Sequence, residues 1–269
     1  MRLLVAILMM LCCAVAHGQA LSLADPAKPW QESSLGPADV TGLVLWYKPE
    51  SLSGANGTAI STWTDSSANG WDMTNAVAGK QPYITNNVAN GYAAAYFDGT
   101  DFLFAEGGAL ASWNNVSGAT LIAVLKTNSV AGAVLFVSRN SLGSSRFYIY
   151  ASSGKPTLGG RRLDTDSFQT LGSTDVYSSG FLSHEGWVDY SNSDASVYTN
   201  GTLAASTSTF QTSGNTSATD SLNISMGGIN TTPSEPFTGW ITEAIFYNRA
   251  ISSGDRAIIT AYLEAKYGL

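Results

Sequence analysis

The stretch at residues 239–269 constrains the fold more than any other part of the sequence. Residues 240–247 predict a strand with apolar side chains on both faces, with Ile241, Ile245 and Tyr247 on one face and Ala244 and Phe246 on the other. A strand that is apolar on both faces is covered on both faces, so it lies inside a sheet. We therefore expect a central strand here, and the rest of the chain has to supply its sheet.

A helix is predicted directly after this strand. Ser252 suits the N-cap position, and Asp255 follows it at the spacing of a capping box. Apolar side chains then recur at helical spacing, at Ile258, Ile259, Tyr262, Leu263 and Ala265. Lys266 in the last turn and Gly268 after it are typical of a helix end. We expect this helix to cover one face of the central strand.

The beginning of the chain has the pattern of a secretory signal peptide. Arg2 precedes an apolar run at residues 3–16, and small residues that offer cleavage sites follow, so residues 1–20 are predicted to be removed. The run is too short to span a membrane, so the mature chain is not expected to insert into one. Residues 21–40 contain three prolines and no periodic pattern, and they are predicted to form an exposed linker. Residues 41–269 are predicted to form one secreted, extracellular or cell-surface domain.

Cysteine content and charge restrict the chemistry and the partners. Both cysteines, Cys12 and Cys13, lie in the predicted signal peptide, so the mature chain is expected to have neither disulfides nor thiolate metal sites. The formal net charge is -7 and only 12% of residues are charged. An acidic, lysine-poor surface argues against nucleic acid and anionic membranes as partners. Nothing in the sequence specifies an oligomeric state.

Short stretches rich in β-forming residues, separated by turn signals, recur between residues 41 and 247. The clearest turn is Asn200-Gly201, between predicted strands at residues 195–199 and 202–206, where a type I′ hairpin is expected. Many short strands followed by a single helix predict an all-β sandwich.

Five motifs occur in order along residues 41–269. They are the first strand at residues 42–47, W-x-D-x-S-x-N-G at 63–70, F-D-G-x-D at 97–101, Y-x-N-G at 198–201, and the closing stretch at 239–268 with its Y-L-x-x-K-Y-G ending. Together they resemble the laminin-G-like, concanavalin-A-like jelly roll of bacterial and phage proteins. The resemblance implies an all-β, antiparallel two-sheet jelly-roll β-sandwich with a short C-terminal α-helix, in which the first and last strands are neighbours. It implies no single function, because this fold hosts lectins, glycosidases, adhesion modules and inert spacers.

Residues that could support catalysis are few. A glycosidase needs two carboxylates at a fixed separation, and the nearest pair, Glu185 and Asp189, is expected to flank a turn that would not hold them. His184 is the only histidine outside the signal peptide, and we expect it to be a surface or hydrogen-bonded residue. Glu243 is expected to be structural, paired at the sheet edge or with Arg249. No enzyme activity is therefore predicted, and a glycan-active hydrolase or lyase is kept as an alternative.

Calcium is the one cofactor for which the sequence offers ligands. Asp98 and Asp101 flank one predicted turn, and Asp65 and Asn69 flank another. Loop oxygens suit Ca²⁺, and members of the wider fold that the chain resembles carry a calcium at the rim. The same residue types also stabilise turns through hydrogen bonds to the backbone. Calcium binding and turn stabilisation are thus two hypotheses for these four residues.

Aromatic residues near loops are the candidates for carbohydrate binding, because sugar rings stack on them while polar neighbours bind the hydroxyls. The candidates are Trp71, Tyr83, Trp113, Trp187 and Tyr190. The alternative for each is that it closes an end of the sandwich. We predict a non-catalytic, lectin-like module that binds cell-surface or extracellular polysaccharides. The alternative from another class is a structural or adhesion protein of a cell or virion surface without glycan specificity.

Overall fold

The computed structural model describes residues 35–107, 113–127, 129–138, 145–217, 222–229 and 235–269. The predicted signal peptide at residues 1–20 and most of the predicted linker lie outside these ranges. Within them, no helix combines the length and the apolar character needed to cross a membrane.

The described residues form two antiparallel sheets of eight strands each. Sheet A consists of β1 (Leu43–Tyr47), β4 (Tyr83–Ala89), β5 (Tyr92–Asp98), β7 (Gly118–Lys126), β12 (Leu182–Asp189), β13 (Asp194–Thr199), β14 (Thr202–Thr207) and β16 (Thr238–Tyr247). The order is β14-β13-β12-β7-β16-β5-β4, and β1 also pairs with β16.

Sheet B consists of β2 (Thr62–Trp63), β3 (Met73–Thr74), β6 (Leu103–Gly107), β8 (Ala131–Ser138), β9 (Arg146–Ser152), β10 (Lys155–Arg161), β11 (Gln169–Gly172) and β15 (Leu222–Met226). Its order is β11-β10-β9-β8-β15-β6-β3-β2. The inner faces of the two sheets meet in one apolar core, with fully buried side chains that include Leu45, Trp63, Phe97, Leu121 and Phe147. The predicted all-β, two-sheet sandwich is confirmed.

Strand β16 lies inside sheet A, as its apolar faces predict. It pairs with β7 along one edge, and with β5 and then β1 along the other. The first and last strands are therefore neighbours, with Trp46 opposite Ile245. A bulge between Ile241 and Glu243 shifts the alternation of the strand. Ile241 consequently points into the core between the sheets, and the prediction that it shares a face with Ile245 and Tyr247 is wrong.

Helix α1 (Ser253–Tyr267) packs on the outer face of sheet A. The predicted capping box is present, because the Ser252 hydroxyl accepts from the Asp255 amide and the Asp255 carboxylate accepts from the Ser252 amide. The helix ends at Gly268 in the left-handed conformation, with φ of 68°. Ile259 and Leu263 are buried against the sheet, whereas Ala265 is exposed.

Residues before the predicted domain boundary at residue 41 have regular structure. Pro37–Asp39 forms a turn of 3-10 helix, Val40 is buried, and the Tyr247 hydroxyl donates to the Pro37 carbonyl at 3.0 Å. The last residues of the predicted linker thus pack with the domain.

The Asn200-Gly201 turn joins β13 and β14 as predicted. Its two residues have φ of 47° and 72°, the left-handed values that a type I′ turn requires. The hairpin brings β14 to the edge of sheet A and lies beside α1 at Thr260.

Candidate functional site

A groove of about 440 Å³ lies on the outer face of sheet A, over β12, β13 and β14. Its lining consists of Trp187, Asp194, Ser196, Tyr198, Ser206, Thr207 and Ser208. On β13 the lining residues Asp194, Ser196 and Tyr198 alternate, because every second side chain of a strand points to the same face. The volume is within the usual range of small-ligand sites.

The start of α1 closes one side of this groove. The Trp187 indole donates to the Ile251 carbonyl at 2.9 Å, just before the helix. The Arg256 guanidinium lies 3.8 Å from the centre of the Tyr198 ring and 5.8 Å from that of the Trp187 ring. These contacts fix both aromatic rings, so the apolar part of the groove is held in place before a ligand arrives.

Most polar side chains of the groove make no hydrogen bond to other described residues of the protein. Within the described residues, the Asp194 carboxylate and the hydroxyls of Ser196, Ser206 and Ser208 have no intramolecular partner. Only the Thr207 hydroxyl is engaged, with Thr209 at 3.1 Å. Convergent hydroxyls and a carboxylate beside two aromatic rings can bind the polar edges and the apolar face of a sugar together.

The ion pair beneath the groove joins Glu185 of β12 to Arg256 of α1. The Arg256 Nε to Glu185 Oε1 distance is 2.8 Å, and both side chains are nearly buried. Burial raises the pKa of Glu185, and the charge of Arg256 opposes that rise. The pair thus positions Arg256 against the two rings.

The prediction that Glu185 and Asp189 flank a turn is wrong, because both lie on β12 and project from the same face. Their carboxylates serve separate contacts. Asp189 accepts from the Ser191 amide at 2.9 Å and from Asn192 Nδ2 at 2.8 Å, at the turn that leads to β13.

His184 is fully buried, and its Nδ1 lies 2.8 Å from the Tyr177 hydroxyl. Burial lowers the pKa of His184 to about 3, so the ring is neutral at physiological pH. It is remote from solvent and hydrogen-bonded, one of the two environments expected for it.

Of the five predicted aromatic candidates, Trp187 lines the groove, although it lies on a strand and not in a loop. Tyr83 lies at the other end of sheet A. It begins a row of aromatic rings across adjacent strands, with ring centres 4.9 Å apart for Tyr83 and Tyr96 and 4.7 Å apart for Tyr96 and Trp240. Lys126 ends the row, 5.6 Å from the Trp240 ring.

Trp113 and Tyr190 have no exposed surface and cannot stack on a sugar, which corrects their assignment as ligand-binding residues. The Trp113 ring packs parallel to that of Phe147, and its indole donates to Ser145 at 3.0 Å. Both belong to the apolar core between the sheets. Trp71 is half-buried against the core, and its carbonyl accepts from the Tyr47 hydroxyl. The five candidates therefore do not form one site.

Asp65 and Asn69 hold their turn against β1. The Asp65 carboxylate accepts from the amides of Trp46, Ser67 and Trp71 at 2.9–3.1 Å and from the Ser67 hydroxyl at 2.6 Å. Asn69 Nδ2 donates to the Val44 carbonyl at 2.8 Å. These are hydrogen bonds of the kind expected for turn stabilisation.

Asp98 and Asp101 form a second carboxylate pair at the end of β5. Burial raises the pKa of Asp98, but hydrogen bonds from the amide and hydroxyl of Thr100 outweigh this and lower it. Burial, together with the neighbouring Asp98 charge, raises the pKa of Asp101 to about 6. In the described part of the chain, no three His, Cys, Asp or Glu side chains cluster as metal ligands would. Calcium binding at Asp98 and Asp101, and at Asp65 and Asn69, stays a prediction.

Glu243 is buried between β16 and α1 and serves the packing of the helix. Its carboxylate accepts from Trp46 Nε1 at 2.6 Å, the Tyr262 hydroxyl at 2.9 Å, Lys266 Nζ at 2.9 Å and the Tyr267 hydroxyl. The structural role expected for it is present, but its cationic partner is Lys266. Arg249 pairs instead with Asp255.

Reasoning from the sequence missed most of the groove. Asp194, Ser196 and Tyr198 alternate with the buried Ala195 and Val197 along the predicted hairpin, so the pattern contains a polar outward face. That signal identifies a solvent-facing strand, but it does not show which helix lies beside it.

No family model and no curated protein sequence matches the chain. Solved structures do match. The receptor-binding domain of botulinum neurotoxin C/D mosaic serotype is similar, with a TM-score of 0.53 and 14% identity over 84% of this chain and 51% of that one. A botulinum neurotoxin type C structure has a TM-score of 0.50 and 11% identity, covering 84% and 52% of the two chains. The chain thus spans about half the length of these two.

A third similar structure is the CBM40 domain of Ruminococcus gnavus IT-sialidase bound to α2,3-sialyllactose. It has a TM-score of 0.46 and 21% identity over 58% of this chain and 86% of that one. At such low identities the likenesses concern the fold alone. The fold is a jelly-roll β-sandwich. Membership of the laminin-G-like, concanavalin-A-like family stays a prediction.

Proposed function

We propose that the protein is a non-catalytic carbohydrate-binding module that acts outside the cell, and that the groove over β12–β14 holds the saccharide. One observation carries this proposal: two fixed aromatic rings, Trp187 and Tyr198, lie beside four polar side chains without intramolecular partners. Sugars combine an apolar ring face with a rim of hydroxyls, so they complement such a surface. The type C neurotoxin of the same fold is described as depending on two ganglioside molecules for cell entry, which makes a glycan a reasonable ligand class.

The groove chemistry supports binding without catalysis. Glycoside hydrolysis generally needs two carboxyl groups on either side of the bond, and Asp194 is the one carboxylate among the described residues that line the groove. Asp189, the residue opposite it on β12, is already engaged by the Ser191 amide and Asn192.

The extracellular part of the proposal rests on the basic start and apolar run of residues 1–20. It is tested by expressing the chain with and without these residues and sequencing the N-terminus of the protein found outside the cytoplasm. Retention of both forms inside the cell would contradict export.

A glycan array probed with residues 21–269 tests carbohydrate binding, once with calcium and once with EDTA. We expect signal on a restricted set of glycans, and Tyr198→Leu should reduce it at least tenfold because the ring that contacts the sugar is lost. The matched control is Tyr83→Leu, which removes an exposed aromatic ring at the far end of the same sheet.

Each other outcome has a clear meaning. If no glycan binds under either condition, the proposal fails and the structural or adhesion role is favoured. If Tyr83→Leu removes binding and Tyr198→Leu does not, the glycan lies on the aromatic row and not in the groove. Loss of binding in EDTA alone would support the predicted calcium.

A further inference from the structure

The charges around the groove set a limit on the ligands it can accept. Asp194 is the one charged side chain among the described residues that line it. Asp189 lies directly opposite Asp194 across the β12–β13 pair, which adds a second negative charge at this end of the groove. Like charges on directly opposite residues of a strand pair repel each other. A ligand carboxylate placed here would be the third negative charge.

Arg256, the cation at the wall of the groove, is already engaged by a carboxylate of the protein. Its Nε is paired with Glu185 Oε1 at 2.8 Å, its Nη2 is buried without a hydrogen-bond partner among the described residues, and the side chains of Arg256 and Glu185 are only 12% and 7% exposed. Transferring Arg256 to a ligand carboxylate would leave Glu185 buried and unpaired, which costs more than a solvent-exposed ion pair returns. The guanidinium also packs on the Tyr198 ring at 3.8 Å, so moving it would dismantle the apolar wall of the groove.

The remaining polar groups suit hydroxyls. Asp194 has no hydrogen-bond donor among the described residues, and neither do the hydroxyls of Ser196, Ser206 and Ser208 have partners there. An ionised carboxylate accepts only, and its two oxygens can accept from two adjacent sugar hydroxyls at once. Serine hydroxyls can donate or accept, so they complement further hydroxyls or a ring oxygen.

We infer that the groove selects neutral saccharides over sugars that carry a carboxylate, with Asp194 as the residue that determines this specificity by accepting hydrogen bonds from a pair of adjacent hydroxyls. The inference rests on the proposed function, since it assigns a ligand class to the same groove.

Paired probes test it. Binding is measured by calorimetry for lactose against 3′-sialyllactose and for cellobiose against cellobiuronic acid, and on an array of further neutral and carboxylated pairs, with calcium and with EDTA. For every pair that binds, we expect the neutral member to bind at least tenfold more tightly. Asp194→Asn should weaken the neutral member by about tenfold, as expected for loss of charge-assisted hydrogen bonds. It should also reduce the preference over the carboxylated member to less than threefold.

Glu264→Gln is the matched control, because it makes the same charge change at an exposed site on α1 away from the groove. It should leave both affinities unchanged, and thermal unfolding should show that both variants fold.

Tighter binding of the carboxylated members, still abolished by Tyr198→Leu, would overturn the inference and leave the proposed function standing. An unchanged preference in Asp194→Asn would overturn the role of Asp194. Absence of binding to every glycan, or binding insensitive to Tyr198→Leu, would overturn the inference together with the groove on which it rests.

Discussion

His184 and Asp101 are both removed from solvent, and burial shifts their pKa values in opposite directions. The pKa of His184 falls to about 3 because burial disfavours the charged imidazolium. The pKa of Asp101 rises to about 6 because burial disfavours the charged carboxylate, helped by Asp98. His184 therefore stabilises the fold most above its unfolded pKa of about 6.5 and less as the pH falls. Asp101 stabilises it most below about 3.9 and less as the pH rises through 6.

His184→Gln separates the two effects. Between pH 7 and pH 5 the unfolded chain takes up a proton at His184 and the folded chain does not, so the wild-type free energy of unfolding should fall by about 2 kcal/mol from this residue. The glutamine can keep a hydrogen bond with the Tyr177 hydroxyl but cannot titrate. Urea unfolding at both pH values should show that the wild type loses about 2 kcal/mol more than the variant. Parallel losses would contradict the buried, neutral histidine.

At the scale of elements, helix α1 is held to sheet A by one buried carboxylate as well as by apolar packing. Glu243 receives hydrogen bonds from Trp46 of β1 and from three residues of α1, so it joins two strands and the helix. Lys266 has a second carboxylate, Glu50, at 3.0 Å, but that side chain is 46% exposed.

Glu243→Gln tests how much these hydrogen bonds and the ion pair contribute to the free energy of unfolding. The amide keeps an acceptor for Trp46 but removes the buried counter-charge of Lys266, so we expect a loss of about 2–4 kcal/mol in the free energy of unfolding. Glu50→Gln removes the exposed counter-charge of the same lysine and should cost less than about 1 kcal/mol. Urea unfolding of both variants provides the comparison, and equal losses would argue against the buried network.

The β13–β14 hairpin packs closely against α1 at Gly201, which faces Thr260. A Cβ at this position would lie 2.4 Å from Cγ2 and 2.7 Å from Oγ1 of Thr260, so rotating the threonine exchanges one clash for another. Gly57 has a similar φ, 83° against 72°, but an added Cβ there has nothing within 4 Å.

Substituting alanine at each glycine separates backbone strain from the clash. Gly57→Ala should cost about 1 kcal/mol through the left-handed backbone alone. Gly201→Ala should cost about 1–3 kcal/mol more, because the hairpin and helix have to move apart. The measurement is the denaturant midpoint of each variant, and equal midpoints would show that the hairpin does not press on α1.

At the scale of the whole molecule, the features that could be predicted from the sequence are those that depend on a local residue pattern. The Asn200-Gly201 turn, the Ser252 and Asp255 capping box and the two-faced apolar strand β16 each follow from residues within a few positions of one another. The bulge at residues 241–243 was not predictable in this way, because it reflects how β16 pairs with both β5 and β7.

The groove could not be predicted from the sequence, for a different reason. Trp187, Ser206 and Arg256 lie on β12, β14 and α1, and only the folded sheet brings them side by side. The burial of Trp113 and Tyr190 likewise depends on packing between distant segments, such as Trp113 on Phe147. Residue type suggested a binding role for all of these aromatics, and their surroundings divide them into groove and core.

The central position of β16 also has a consequence for the timing of synthesis. Leu43 of β1 pairs with Tyr247, about 200 residues later in the chain. At about 5–20 residues per second, the ribosome needs about 10–40 s to deliver that partner after β1 has emerged. During this interval β1, β5 and β7 lack the strand that joins them. Sheet A therefore stays open while the chain lengthens, and it can be completed only when nearly the whole chain has been synthesised.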